Sequence, residues 1–416
     1  MSHRVVVTGL GAISPNGTGK EEFWENTCRG ISGIRRISSF DASNLSCQIA
    51  GEVLDLDPSE YFSKSDLKKL PRAVPLAVAA SKEALDDAGI DLTQFEEEDF
   101  ESLGVIIGSG GSGFDFSEQQ FKIYFSEQKN KVSPYAIANS LVGMLSSEIS
   151  IYFGLQGRSH VISNGCTSST DAIGYAFNSI RSGQEDWFLT GGAEACVTPA
   201  MMCGFERMRV NPTHFNDDPE RGSRPFNKDR EGFVLAEGSW MMVLEELEHA
   251  KRRDAKIYGE ILGYGSTCDA YHRVAIMPDG KQSTRALNLA MKDARINKDE
   301  VGYINFHGTS TIINDKIETL AVKQAFNSAA LKIPASSTKS MVGHPQGASG
   351  ALGVTVAVLS LQNGFLTPTI NMENPDPECD MDYVSNEGRE QPIKIAISNC
   401  ISFGSKNSAI VLKKFA

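Results

Sequence analysis

Ser159-His160-Val161-Ile162-Ser163-Asn164-Gly165-Cys166-Thr167-Ser168-Ser169 passes from a short apolar run into a turn of small polar residues. It then enters a stretch, Ser169 to Arg181, whose apolar positions recur at three- and four-residue spacing. The segment reads as strand, turn and helix. A Cys at such a junction lies at a helix N-terminus, where unpaired N–H groups and the helix dipole favour the thiolate. The same N–H groups can hold an oxyanion during acyl transfer. A buried Cys at a tight turn fits the same letters equally well, since burial is common for Cys, so the rest of the chain has to separate the two readings.

Working outward, short β-rich runs recur at Val5 to Leu10, Gly104 to Ile107, Trp187 to Thr190, Tyr303 to Phe306, Lys394 to Ser398 and Ala409 to Leu412. Helical spacing appears between them at Val74 to Ala88 and Ser283 to Ala294. Strand alternating with helix predicts an α/β protein with largely buried sheets. The polar run Asn211 to Glu231 reads as a long surface loop. A boundary is placed near residue 255, after a strand at Trp240 to Glu245 and a charged helix at Glu246 to Arg253. That gives halves 1–255 and 256–416 of similar construction, although no clean sequence repeat joins them.

The 416 residues carry 40 Lys and Arg against 52 Asp and Glu, a net charge of −12, which argues against general binding to a phosphate backbone. Hydrophobic residues at 41% and charged residues at 22% suit a packed globule. Cys28, Cys47, Cys166, Cys196, Cys203, Cys268, Cys379 and Cys400 lie scattered without zinc-ligand spacing, which predicts a reduced interior with no metal. The opening MSHRVVVTGLGAIS is too short an apolar run for a secretory signal, and no stretch approaches the roughly 18 to 20 apolar residues of a membrane span. A cytoplasmic protein is expected, without membrane or nucleic-acid partners. Neither Gly9-Leu10-Gly11 nor Gly108 with Gly110 and Gly113 has both the helix-opening third glycine and the distal acid at a strand end that a dinucleotide site needs, so they read as tight turns.

Partners for the thiol come from seven His. His3 at the terminus, His214 in the polar loop and His249 on the charged helix read as solvated. His307 closes an apolar run and opens His307-Gly308-Thr309-Ser310-Thr311. His344 stands in Lys339-Ser340-Met341-Val342-Gly343-His344, ahead of Gly347-Ala348-Ser349-Gly350-Ala351. Both sit at strand-end turns, where α/β sheets place their chemistry.

Taken in order, the Cys166 elbow, the His307 segment, Lys339 in S-S-T-K-S-M-V-G-H and His344 in G-H-x-x-G-A-x-G resemble the active-site signature of the β-ketoacyl synthases. These are the condensing enzymes of fatty-acid and polyketide synthesis. The likeness runs from Val5 to Gly404 and includes Ser223-Arg224-Pro225-Phe226, Asp229 to Val234 and Glu237-Gly238. It implies the thiolase fold, two similar halves in a five-layered α-β-α-β-α arrangement, and a dimer. Ser163 to Ser168, Asn216 to Glu220, Asn314-Asp315 and Asp376 to Val384 look closest to the ketosynthase α subunits of type II polyketide synthases. Such subunits pair with a homologous chain-length factor; the alternatives are a homodimeric fatty-acid β-ketoacyl synthase II and a catalytically silent partner of the same fold.

The resemblance implies that Cys166 holds the acyl group, and that the backbone N–H groups of Cys166 and Phe403 stabilise the oxyanion. His307 and His344 would promote decarboxylation of malonyl carrier protein, with Lys339, Asp315 and Glu318 as a buried charged network orienting them. Thr309 and Thr311 match positions that bind pantetheine, Phe205 is expected with them among the substrate- or pantetheine-binding residues, and Gly111 matches a position at the base of the acyl pocket, leaving room for a longer chain. No metal or other cofactor is implied, the pantetheine belonging to the acyl carrier protein. That partner is generally acidic, and Lys64, Lys68, Lys69 and Arg72, clustered on one helix, with Arg207 and Arg209, are the expected docking residues. One departure stands out: the family's Asn-Ser-Phe-Gly-Phe-Gly-Gly appears as Asn399-Cys400-Ile401-Ser402-Phe403-Gly404-Ser405, so Ser402 and Ser405 replace two flexible glycines of the gating loop.

Overall fold

Every residue of Val5–Ser14 (β1) is buried, the behaviour of a strand covered on both faces, whose alternate side chains enter two different apolar layers. The structure, a computed structural model, describes residues 2–126, 129–404 and 406–415; Ser405 lies outside them. The other main strands are Gly104–Gly108 (β2), Ser159–Ile162 (β3), Trp187–Ala195 (β4), Glu237–Glu246 (β5), Gly259–Cys268 (β6), Tyr303–Asn305 (β7), Ala335–Ser336 (β8), Ile395–Ser402 (β9) and Lys406–Lys414 (β10). They follow one path, β8-β7-β9-β10-β6-β1-β5-β4-β2-β3.

Read from each end, that path is the same motif twice. In the first half the third strand pairs with the second, then come the fourth, fifth and first; β8-β7-β9-β10-β6 repeats this order. The directions repeat as well. β2 runs parallel to β3 and β4, and β5 antiparallel to β4 and β1; β7 runs parallel to β8 and β9, and β10 antiparallel to β9 and β6. The two sets meet along a short seam where Val5, Val6 and Val7 pair with Ile261, Glu260 and Gly259.

Helices cover the sheets in matching places. Ala73–Asp87 (α1) lies on β1, and Lys281–Ala294 (α3) on β6. Close approach requires glycine at each crossing: a Cβ at Gly11 would stand 2.0 Å from Ala80 O, and one at Gly265 would stand 2.3 Å from Ala286 O. Ser168–Arg181 (α2) and Ser349–Asn363 (α5) pack together between the sheets, and Ile312–Phe326 (α4) lies outside with α3. The central core accordingly draws Ile173, Phe177, Leu352 and Val356 from the two inner helices. This is the five-layered thiolase arrangement. Among the described residues, no helix is long and apolar enough to cross a membrane.

Two expectations need correction. The run Asn211 to Glu231 is a surface loop only over 213–221, because Arg224, Phe226, Asn227 and Arg230 are buried. Phe226 stacks on Tyr383 at 3.8 Å, and Arg230 pairs with Asp315 at 3.3 Å and Asp376 at 2.8 Å. Polarity there marks internal ion pairs rather than solvent. His249 is mostly covered too, held 2.7 Å from the buried Glu245 carboxylate.

Candidate active site

β3 ends four residues before Cys166, and Gly165 (φ +67°) reverses the chain in a conformation that disfavours any side chain. Cys166 is buried just ahead of α2, with Sγ 3.2 Å from His344 Nε2. Burial pushes the thiol up to about 11, only partly offset by the neighbouring Ser402 hydroxyl, the charge on Lys339 and the Phe403 N–H. Position at a helix start therefore does not produce a resting thiolate; desolvation outweighs it.

His344 follows Gly343 and precedes α5, so it occupies in the second half the place that Cys166 occupies in the first. Its Nδ1 lies 2.9 Å from Ser349 Oγ. With Nδ1–H donated to that hydroxyl, Nε2 is left to accept the thiol proton. His307 follows β7, with Nδ1 3.3 Å from Cys400 Sγ, and its ring stands edge-on to His344 with centroids 5.2 Å apart. Burial, with help from the Lys339 charge, holds both imidazoles well below the ordinary range, so both are neutral at pH 7. The donor atoms of Cys166, His307 and His344 all lie within 4.8 Å of one another. That is close enough for one reacting carbonyl to reach all three.

Glu318 on α4 sets the His307 backbone. Its carboxylate accepts the N–H groups of His307 and Gly308, each at 2.7 Å, and Asn399 Nδ2 at 2.6 Å. Burial raises its pKa to about 7 against those donors. Lys339 is buried beside it, and desolvation lowers its pKa against the nearby Cys400 and Glu318. Asp315 has two connections: it pairs with Arg230 and accepts the Phe226 N–H at 2.9 Å, anchoring the buried 224–230 segment, and Asn314 Nδ2 bridges it to Glu318 at 3.2 and 3.4 Å.

A cavity of about 460 Å³ runs from Cys166, His307, His344 and Phe403 outward past Thr309 and Thr311, whose hydroxyls lie 3.0 Å apart. Phe233 lines it and stands edge-on to His344. Phe205 packs edge-on against Phe233 at 5.1 Å, one layer behind. Gly111 lies elsewhere: its N–H is bound to Glu194, and a Cβ there would stand 3.1 Å from Cys196 Sγ.

The docking residues are more scattered than expected. Of the four expected on one helix, only Lys64 lies within it, Lys64–Leu67, which Lys68 closes; Arg207 stands in the last turn of a separate helix, Pro199–Met208. Lys69 pairs with Asp66 at 2.8 Å, and Arg72 is tied to buried Glu237 at 2.6 Å. Lys64, Lys68, Arg207 and Arg209 are exposed.

The sequence reading missed Glu194. It is fully buried on β4 and collects the N–H groups of Gly110 at 2.7 Å, Gly111 at 3.1 Å and Gly347 at 2.9 Å. It thereby ties the glycine patch after β2 to the turn behind His344. A lone acid in Gly191-Gly192-Ala193-Glu194, among small strand residues, was the available signal.

A thiol pushed up to about 11 makes the pH dependence of alkylation informative. The rate of Cys166 carbamidomethylation by iodoacetamide, followed by mass spectrometry, is expected to climb about tenfold per unit between pH 7 and pH 9. A plateau below pH 8 would mean a thiolate–imidazolium pair instead.

Residues 2–250 match the N-terminal domain and residues 258–373 the C-terminal domain of the β-ketoacyl synthases. A 3-oxoacyl-[acyl-carrier-protein] synthase 2 of Synechocystis sp. is 42% identical over 412 residues, covering 99% of this chain and 98% of that one. Among solved structures, the ishigamide ketosynthase/chain length factor superposes with a TM-score of 0.91 at 33% identity. A type II polyketide synthase ketosynthase, bound to the hexaketide and in complex with its acyl-carrier protein, gives 0.90 at 30%. Both cover the whole of each chain. Matched over both family domains and along nearly the full length of its relatives, the chain belongs to the β-ketoacyl synthase family, acyl-transferring condensing enzymes that need no cofactor of their own.

Proposed function

We propose that the chain condenses an acyl group held on Cys166 with malonyl acyl carrier protein, as the ketosynthase (α) subunit of a type II polyketide synthase. The single observation that carries the chemistry is the 3.2 Å contact of Cys166 Sγ with His344 Nε2, with His307 facing the same space. In the loading step Sγ gives its proton to His344 and bonds to the thioester carbon. The carbonyl pair moves onto oxygen, toward the Cys166 and Phe403 N–H groups, and collapse expels the pantetheine thiolate, which takes the proton. Malonyl carrier protein then lays its arm along Thr309 and Thr311. Its C–C bond to the carboxylate breaks, CO2 leaves, and the electron pair forms an enolate whose oxygen accepts from an N–H of His307 and from Nε2–H of His344, whose ring has then changed tautomer with Ser349 Oγ donating to Nδ1. The enolate carbon attacks the acyl carbon, and the Cys166 thiolate leaves to be reprotonated. In this reading the half 1–255 supplies the nucleophile and the half 256–416 the two histidines.

The polyketide assignment is supported by full-length superposition on two ketosynthases, one of them partnered by a chain length factor. Exposed apolar side chains are consistent with a partner: Phe125 is 76% and Ile137 80% exposed, Phe121 has its ring 6.4 Å from that of Phe125, and Leu141 and Ile151 are exposed as well, Ile151 on the helix Met144–Phe153 that packs on the edge strand β3. The reading as a homodimeric fatty-acid enzyme is favoured by the 42% identity to a synthase 2. Lys64, Lys68, Arg207 and Arg209 are the cations offered to an acidic carrier. The test is native mass spectrometry with a product assay. The chain alone is expected to be poorly soluble or weakly active, and a chain-length factor to restore extension beyond one condensation. A stable homodimer that efficiently extends saturated acyl chains without a partner would select the fatty-acid reading.

A further inference from the structure

Ser402 is the last residue of β9 and is 2% exposed. Its Oγ accepts the Cys166 N–H at 2.8 Å and lies 3.0 Å from Asn164 O and 2.9 Å from Phe403 O. A hydroxyl has one proton and two lone pairs. Ser402 thus donates to one of those carbonyls while its lone pair occupies the Cys166 N–H. The room for it comes from the elbow itself, since a Cβ at Gly165 would stand 2.3 Å from Ser402 Oγ. A glycine at 402 would reach none of these atoms.

The same N–H is the donor that faces the carbonyl oxygen of any thioester attacked by Cys166 Sγ, because attack places that oxygen beside the nucleophile's own backbone. Two acceptors therefore compete for one donor, and in this structure the internal one holds it. We propose that Ser402 is a latch on acyl transfer: its hydroxyl occupies one oxyanion donor at rest and fastens the Phe403 segment to the nucleophile elbow, and it must rotate away before the tetrahedral adduct is stabilised. This rests on the acyl-transfer reading of Cys166. Ser402 is a positioning residue, acting through the Cys166 N–H rather than on substrate. Breaking one buried hydrogen bond before the reaction slows the step by roughly five- to tenfold.

Two reactions of the same sulfur separate this from a merely structural role. Acyl transfer from acyl carrier protein forms an oxyanion; alkylation by iodoacetamide forms none, and displaces iodide directly at carbon. Ser402→Ala and Ser402→Gly are compared with the unaltered chain, both reactions being read at Cys166 by intact-protein mass spectrometry at one pH, after circular dichroism has confirmed folding. Both variants are expected to load acyl groups five- to tenfold faster and to alkylate no faster, because direct displacement of iodide makes no use of the freed Cys166 N–H. Slower acyl transfer in Ser402→Ala would overturn the latch and make the hydroxyl a donor to the oxyanion. A parallel rise in both rates would also overturn it, showing that the substitution only loosened the loop. If neither the unaltered chain nor the variants load acyl groups while all alkylate at Cys166, the acyl-transfer reading itself fails, and the latch with it.

Discussion

Cys166→Ala is expected to abolish acyl loading while leaving the fold in place. Sγ is the only atom removed, so the cavity left behind is small and costs about 1 kcal/mol, a shift of a few degrees at most in a chain of this size. Acyl transfer has no comparable reserve. The nearest alternative thiol, Cys400, contacts His307 Nδ1 at 3.3 Å, but it donates to Cys166 O at 3.1 Å, and burial raises its pKa further from neutrality than that of Cys166. Intact-protein mass spectrometry after incubation with acyl carrier protein decides the matter. An adduct that persists on Cys166→Ala would move the nucleophile elsewhere.

The second large effect separates the two histidines, which the sequence treats alike. His307→Ala and His344→Ala should each slow malonyl decarboxylation by about 10²- to 10⁴-fold, the range for removing a positioned proton donor. They should differ in loading. His344 Nε2 lies 3.2 Å from a thiol whose pKa burial holds at about 11, so His344→Ala loses the base for acylation as well. His307 is bound on its Nδ1 side to Cys400 and has its backbone held by Glu318, so His307→Ala should load Cys166 at nearly the unaltered rate. CO2 release and the acylation burst, measured on the same preparations, provide the check. Loss of acylation with normal decarboxylation in His307→Ala would reverse these roles.

What the sequence revealed and what it hid have physical causes. Cys166, His307 and His344 were legible because each interrupts an apolar run at a turn built from glycine and small hydroxyl residues, where bulk is excluded for a reason. The duplicated fold was not legible as a repeat, because β7 and β8 have only three and two residues and leave no pattern. Its trace is spacing alone: Gly9 and Gly11 against Ala84 and Ala80, Gly263 and Gly265 against Ala290 and Ala286. The polar run after Asn211 was misread because composition reports polarity and not partners; Arg230 looks solvated until Asp315 and Asp376 are beside it. Glu194 was passed over because three of its partners are backbone N–H groups, which no side-chain pattern announces, and the lone acid among small residues was the one trace of it.

The narrow seam between the two sets of strands bears on how the protein loses activity under stress. The sulfur belongs to one set and both imidazoles to the other, and the antiparallel pairing that joins the sheets involves only Val5 to Val7. A slight shear of one half against the other, taken up by sliding of α2 on α5 and too small to disturb either sheet, would lengthen the 3.2 Å contact between sulfur and imidazole. Low denaturant or moderate warming should therefore inactivate the enzyme while its circular dichroism is still native, since sub-global opening precedes global unfolding. Catalytic rate becomes a ruler for the distance between the halves.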